Sequence, residues 1–158
     1  MLCLSDSIRH DDPSLQPLLH AVERAHSLSE LILAAWQVAR VFAVQLVEAV
    51  LAERARRPTA WPPCPVCGAP LRRKGFVKRH VTSLVGPLQW QRRVGRCPQG
   101  CAIPQVAPFD EALGAQPSQQ TSGELQALGC ALAVCVPCAT AARLLGWSSG
   151  GAISARAV

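Results

Sequence analysis

The most regular hydrophobic pattern in the chain runs from residue 28 to residue 57. "LSELILAAWQVARVFAVQLVEAVLAERARR" has no glycine or proline before Pro58, and Ser27 followed three residues later by Glu30 matches a capping box. The spacing predicts one long helix from about Leu28 to Arg57. Glu30, Gln37, Arg40 and Glu48 fall near one stripe and leave the other faces apolar. So much apolar surface has to be covered, either by helices later in the chain or by a second copy of the same helix. Before it, a short helix is expected through "LLHAVERAHS", and residues 1–26 otherwise read as a loosely ordered start.

Past the helix the pattern changes period. "PTAWPPCP" cannot continue a helix, because proline removes a donor and clashes with the preceding turn. "FVKRHVTSLVGPLQWQRRVGRC" then reads as two strands, built on Phe76, Val77, Val81, Leu84, Leu88, Trp90 and Val94, with the turn placed at Gly86–Pro87. From Asp110 helical spacing returns. One helix is expected from Leu125 to Val136, a second from about Ala139 to Leu145, then a turn at "GWSSGG" and a third helix starting at Ser154. Short helices joined by a glycine-containing turn fit a helix-turn-helix or a plain helical hairpin. The fold class expected is α+β, in four segments: 1–26, the helix 27–57, a β-hairpin module 58–109 and a helix-turn-helix-like segment 110–158.

Charge adds what hydropathy does not show. The 158 residues carry a net +6, but between Arg54 and Phe109 there is no Asp or Glu and there are eleven basic residues. The remainder holds five basic and ten acidic residues. Segregation of this kind makes a local positive field, for which nucleic acid is the commonest partner. On the hairpin the candidate nucleic-acid contacts are Arg72, Arg73, Lys74, Lys78, Arg79, Arg92, Arg93 and Arg96, with Trp90 among them. The start of the chain has no basic region followed by an apolar run, so no secretory signal is expected. The apolar stretch from Leu28 to Ala52 is broken by Glu30, Arg40 and Glu48, so no membrane span is expected and a cytoplasmic setting is.

Eight cysteines in such a compartment point to metal rather than disulfides. Cys64 and Cys67 are separated by two residues, Cys97 and Cys101 by three, and the predicted hairpin lies between the pairs. A hairpin brings its ends together, so four thiolates would surround one structural zinc ion, as in a zinc ribbon. A redox pair at Cys64–Cys67 is disfavoured, because Gly68, Ala69 and Pro70 are a poor helix start. Cys135 and Cys138 also have ligand spacing but sit in an apolar helical stretch, so they and Cys130 are expected in the core. Four scattered histidines and no grouped carboxylates offer no catalytic constellation, and the chain is not expected to be an enzyme as it stands.

The ordered set of "CPVCG", "LVGPLQWQRRVGRCP", "APFDEALGAQPSQQTSGELQALGCALAVCVPCATAARLLG" and "GAISARAV" after a long helix resembles the N-terminal half of ISKra-type insertion-sequence transposases, over residues 28–158. The resemblance implies a zinc- and DNA-binding module with Cys64, Cys67, Cys97 and Cys101 as ligands. It further implies a helix-turn-helix around Pro137–Val158 that helps find transposon ends, and a bacterial, nucleoid-associated location. Two departures stand out: the second cysteine pair is one residue wider than is usual in the family, and cysteines replace bulky apolar residues at 135 and 138. In the family a catalytic domain follows this region, so the chain is expected to be a fragment or regulatory form that pairs with itself, or with a full-length copy, through the 28–57 helix. A zinc-ribbon adaptor for RNA or protein is the other reading.

Overall fold

The computed structural model describes residues 13–103 and 105–150. Helix α1 (Gln16–Glu23) precedes the long α2 (Leu28–Arg56); strands β1 (Arg72–Ser83) and β2 (Gly86–Arg96) follow, then the short α3 (Pro108–Ala112) and helices α4 (Gly123–Cys135) and α5 (Cys138–Ser149). The third C-terminal helix expected from Ser154 lies outside the described residues, as does Cys3.

The predicted long helix forms with its predicted cap. Ser27 Oγ accepts from the Glu30 N–H (3.2 Å), and the Glu30 carboxylate accepts from the His26 N–H (2.8 Å). The helix stops where proline dictates. Arg57 precedes Pro58 and adopts an extended ψ of 150°. By length and composition α2 would also suffice to cross a membrane. In this fold its second half is a strut for the hairpin. Leu51 packs with Val81 and Trp90, supported by Val47, Leu88 and Phe109, and the Glu48 carboxylate accepts the Gln89 N–H (2.6 Å). Its first third keeps Leu28, Ile32 and Trp36 exposed.

β1 and β2 pair antiparallel from Arg72↔Arg96 to Ser83↔Gly86. The turn is therefore Leu84–Val85, two residues earlier than the sequence suggested, and Gly86–Pro87 begins β2. Two features explain the shift. Gly86 takes φ +143°, a backbone state open chiefly to glycine. Pro87, which has no N–H to give, sits opposite Thr82, whose own backbone groups face away: the Thr82 N–H donates to Gln120 O (2.8 Å) and its carbonyl accepts from Ser122 N–H (2.9 Å). Near the other end the register slips between Arg73 and Gly75, so Lys74 is the extra residue of a bulge.

The C-terminal pair ends and restarts at a proline. Val136 is extended ahead of Pro137, which caps α5, and Gly150 closes α5 in the left-handed region at φ 65°. Arg40 of α2 ties the elements together, donating from Nε to Val85 O at the hairpin turn (3.3 Å) and from Nη2 to Ser149 O at the end of α5. Cys130, Cys135 and Cys138 are exposed rather than in the core. Only Leu125 and Gly129 of α4 are buried, so the helix turns its cysteines to the outside.

Candidate metal centre and basic hairpin face

The hairpin does bring the two cysteine pairs together. The sulfurs of Cys64, Cys67, Cys97 and Cys101 all lie within 4.8 Å of one another. Each pair sits on a tight turn that needs a left-handed glycine. In the first, Gly68 (φ 70°) donates to Cys64 O (2.9 Å), and the Cys64 N–H donates to Ala69 O (2.8 Å). In the second, Gly100 (φ 73°) donates to Cys97 O (3.3 Å), and the Gln99 N–H points at Cys97 Sγ (3.3 Å). The extra residue of "CPQGC" is absorbed there. The glycine comes one place earlier relative to the first cysteine, and Cys101 joins the cluster from just beyond it.

A tetrahedron of thiolates about 2.3 Å from a zinc-sized ion has edges of roughly 3.8 Å. The Cys67–Cys97 approach of 3.4 Å and the 4.8 Å outer limit bracket that edge. A disulfide needs sulfurs at roughly 2 Å, and these four cysteines are free thiols. Burial opposes ionisation of Cys97, but the Cys101 N–H, the Cys67 thiol and the Gln99 N–H outweigh it and bring its pKa down to about 6. The Cys97 and Cys67 sulfurs, then burial, push Cys101 up to about 12. Cys67 is also raised, the Cys97 sulfur and burial prevailing over the Ala69 N–H, which is the largest single influence and acts the other way. Four crowded sulfurs cannot all ionise against one another without a cation among them, and this set can hold a metal ion.

The cluster is seated in its own small core. Cys64, Leu71 and Cys97 are buried, with Trp61, Cys101, Ile103 and Val106 around them. Trp61 lies against Gly95 so closely that a β-carbon there would be 2.5 Å from the indole ring. Gly95 also exchanges backbone hydrogen bonds with Val106 (2.9 and 3.2 Å), which brings the chain beyond Cys101 back to β2.

Strand parity sorts the predicted nucleic-acid residues into two groups. Cross-strand partners share a face, so Arg79↔Trp90, Val77↔Arg92 and Val81↔Leu88 lie on one side, and Phe76↔Arg93, Lys78↔Gln91 and His80↔Gln89 on the other. The first side is the core side. Arg79 is 5% exposed and Trp90 6%. The Arg79 guanidinium lies over the indole at 5.9 Å and donates to Asp110 Oδ2 (2.9 Å), Pro117 O (3.3 Å), Gln119 O (3.0 Å) and Gln116 O. Arg92 donates to the same Asp110 oxygen. Arg79, Trp90 and Arg92, expected at a nucleic-acid contact, are placed in a cluster that pins α3 and the loop after it to the hairpin, with Arg79 and Trp90 buried and Arg92 partly exposed. The corresponding acid, Asp110, is 2% exposed and lies just past the acid-free stretch.

Lys78, Arg72, Arg73, Lys74 and Arg96 are exposed, and Arg93 is half-buried on the outer side. Sequence reasoning passed over the neighbours that share this outer face, Phe76, His80, Gln89 and Gln91, all exposed. Phe76 lies between two guanidinium groups, Arg73 at 5.1 Å and Arg93 at 5.5 Å. Strand alternation alone, with either turn, would have grouped all four on one face. Comparison with known protein families, with curated proteins and with solved structures finds no match.

Proposed function

We propose that this chain is a DNA-binding module in which one structural zinc ion, held by Cys64, Cys67, Cys97 and Cys101, fixes the base of a basic hairpin. Four thiolates favour zinc by ligand softness and geometry, and fill its coordination shell, leaving no open position for activating water. The module therefore organises a surface and does not catalyse. The observation that carries the reading is the surface itself: Arg73, Lys78 and Arg93 share the outer sheet face, and the exposed Arg72, Lys74 and Arg96 lie at its metal-bearing end, within a stretch free of Asp and Glu. Helices α4 and α5 carry only Glu124 and Arg143 between Gly123 and Gly150, so the main contact falls to the hairpin and a helix-turn-helix role is secondary.

The resemblance to transposases supplies the proposed setting, recognition of the ends of a mobile element in a bacterial cytoplasm. The exposed Leu28, Ile32 and Trp36 of α2 are the face on which we place a second copy, since a two-fold contact needs only one self-complementary patch. A monomer by sedimentation at micromolar concentration would remove that part alone.

Fluorescence anisotropy with the zinc-loaded chain and duplex DNA tests the core of the proposal. Six hairpin cations give a slope of log affinity against log salt of at most about −5, from roughly −0.9 per phosphate neutralised. A flat salt dependence, or no duplex binding at low salt, refutes it. A preference for the DNA flanking this coding sequence over scrambled duplex is the result expected of the transposon-end setting.

A further inference from the structure

Resting on the DNA-binding reading, we infer that the outer face of β1–β2 is a base-reading ribbon that lies in the major groove of B-form DNA. Lys78, His80, Gln89 and Gln91 meet base edges, and Arg72, Arg73, Lys74 and Arg96 meet the flanking phosphates.

The face has the composition of a reader. Its central pairs are Lys78↔Gln91 and His80↔Gln89, with Phe76↔Arg93 beside them; neither strand carries an acid, and Glu48 of α2 borders the face with its carboxylate held by the Gln89 N–H (2.6 Å). Glutamine can bond adenine N6 and N7 together, and lysine or arginine can bond guanine O6 and N7, in a groove that displays a distinct pattern for each base pair. Two strands about 4.8 Å apart, with side chains standing off them, suit a groove about 12 Å wide. The deep, narrow major groove of an RNA duplex would not admit them. Single strands call for a run of open aromatic platforms. On this face Phe76 has Arg73 and Arg93 over it, and Trp61 is packed onto Gly95 beside them, so the two aromatics do not form a run of open platforms.

Placement supports the same division of labour. The inner face is locked by Trp90, Val81 and the Arg79–Asp110 pair, so the outer side chains stand on a rigid support. Arg40 anchors the hairpin turn to α2 and α5, so the ribbon presents its face rather than its tip. The bulge at Lys74 swings that residue out of the ladder beside Arg73, at the metal-bearing end. The outer face then lies along the bases while this end reaches the backbone.

The test uses the full chain loaded with zinc, with loading verified by metal analysis. Duplexes are selected by the protein from a random DNA pool, and binding of the selected and a scrambled duplex is measured for four variants. Gln89→Ala and Gln91→Ala are expected to weaken the selected duplex about tenfold or more while leaving the scrambled duplex and the salt slope unchanged. Arg73→Ala and Arg96→Ala are expected to weaken both duplexes alike and flatten the slope by about 0.9 each. Replacing purines in the selected duplex by 7-deazapurines, which removes a major-groove acceptor, should lose the preference. Selection without an enriched pattern, glutamine variants that change both duplexes equally, or an RNA duplex bound as tightly as DNA would overturn the reader while DNA binding stands. Failure of the loaded protein to hold any duplex at low salt would remove the DNA reading itself.

Discussion

Asp110→Asn is the perturbation that most directly separates the structural cations from the binding ones. The carboxylate is buried, and one of its oxygens accepts from both Arg79, whose side chain is 4% exposed, and Arg92. The amide keeps the shape and one acceptor but removes the charge, leaving the buried Arg79 guanidinium and the partly exposed Arg92 guanidinium without it. Breaking one side of a buried pair typically costs about 3–5 kcal/mol. Arg79 retains the carbonyls of Gln116, Pro117 and Gln119, so the lower end, about 3 kcal/mol, is expected. Against a typical domain stability of about 5–15 kcal/mol, that is a large fraction. Denaturant unfolding of the zinc-loaded protein reads it as a lower midpoint at an unchanged slope. Arg79→Met, which keeps the Asp110–Arg92 pair, should also destabilise the fold while leaving duplex affinity of the folded fraction unaltered. The reasoning is refuted if Asp110→Asn stays within about 0.5 kcal/mol of wild type, a change typical of an ordinary surface site, or if Arg79→Met weakens duplex binding by the folded protein.

Three further outcomes are expected. Chelation should unfold the hairpin module between about residues 62 and 104 while α1 and α2 stay helical, because metal binding supplies on the order of 10 kcal/mol in such modules; hydrogen exchange that leaves this segment protected would contradict it. Metal loading near neutral pH should release at least two protons, from Cys67 and Cys101, whose pKa values are raised, and metal affinity should fall as pH drops, more steeply below about 6 where Cys97 also gains its proton. Zinc titration calorimetry in buffers of different ionisation enthalpy counts those protons, and a heat independent of buffer refutes the cluster as a thiolate site. Gly95→Ala should cost about 1–3 kcal/mol and loosen the second knuckle, since its β-carbon would meet the Trp61 ring at 2.5 Å; a thermal melt matching wild type would show that Trp61 is free to move.

What could be read from the chain, and what could not, follows from how far each signal reaches. The α2 boundaries are local. Ser27 and Glu30 set the start, and Pro58 sets the stop through Arg57. The cysteine pairs were legible because a hairpin joins its own ends whatever its register. The exact turn was not, because Gly86–Pro87 satisfies two placements. What chooses between them is the segment at Gln120–Ser122, which occupies the outward backbone groups of Thr82 more than thirty residues on. The three cysteines of α4 and α5 were misplaced for a related reason: an apolar stretch shows that a helix forms but not how little of it is covered.

Strand parity matters more than the turn, whose two-residue shift leaves it unchanged. Alternation sorts the side chains into two faces whichever turn is used, but the covering of one face by α2 and Asp110 decides which is inward, so the charge of the hairpin could be counted from the sequence while its direction could not. The eleven cations of the acid-free stretch are not one field. Asp110, the first acid beyond that stretch, folds back to accept from two of them, Arg79 and Arg92, and the hairpin turns both inward with Trp90. The same alternation turns Lys78, His80, Gln89, Gln91 and Arg93 to the other side. A surface organised by strand pairing can be basic enough to hold a polyanion and varied enough to distinguish one base pair from another, whereas a basic loop would supply only the first property.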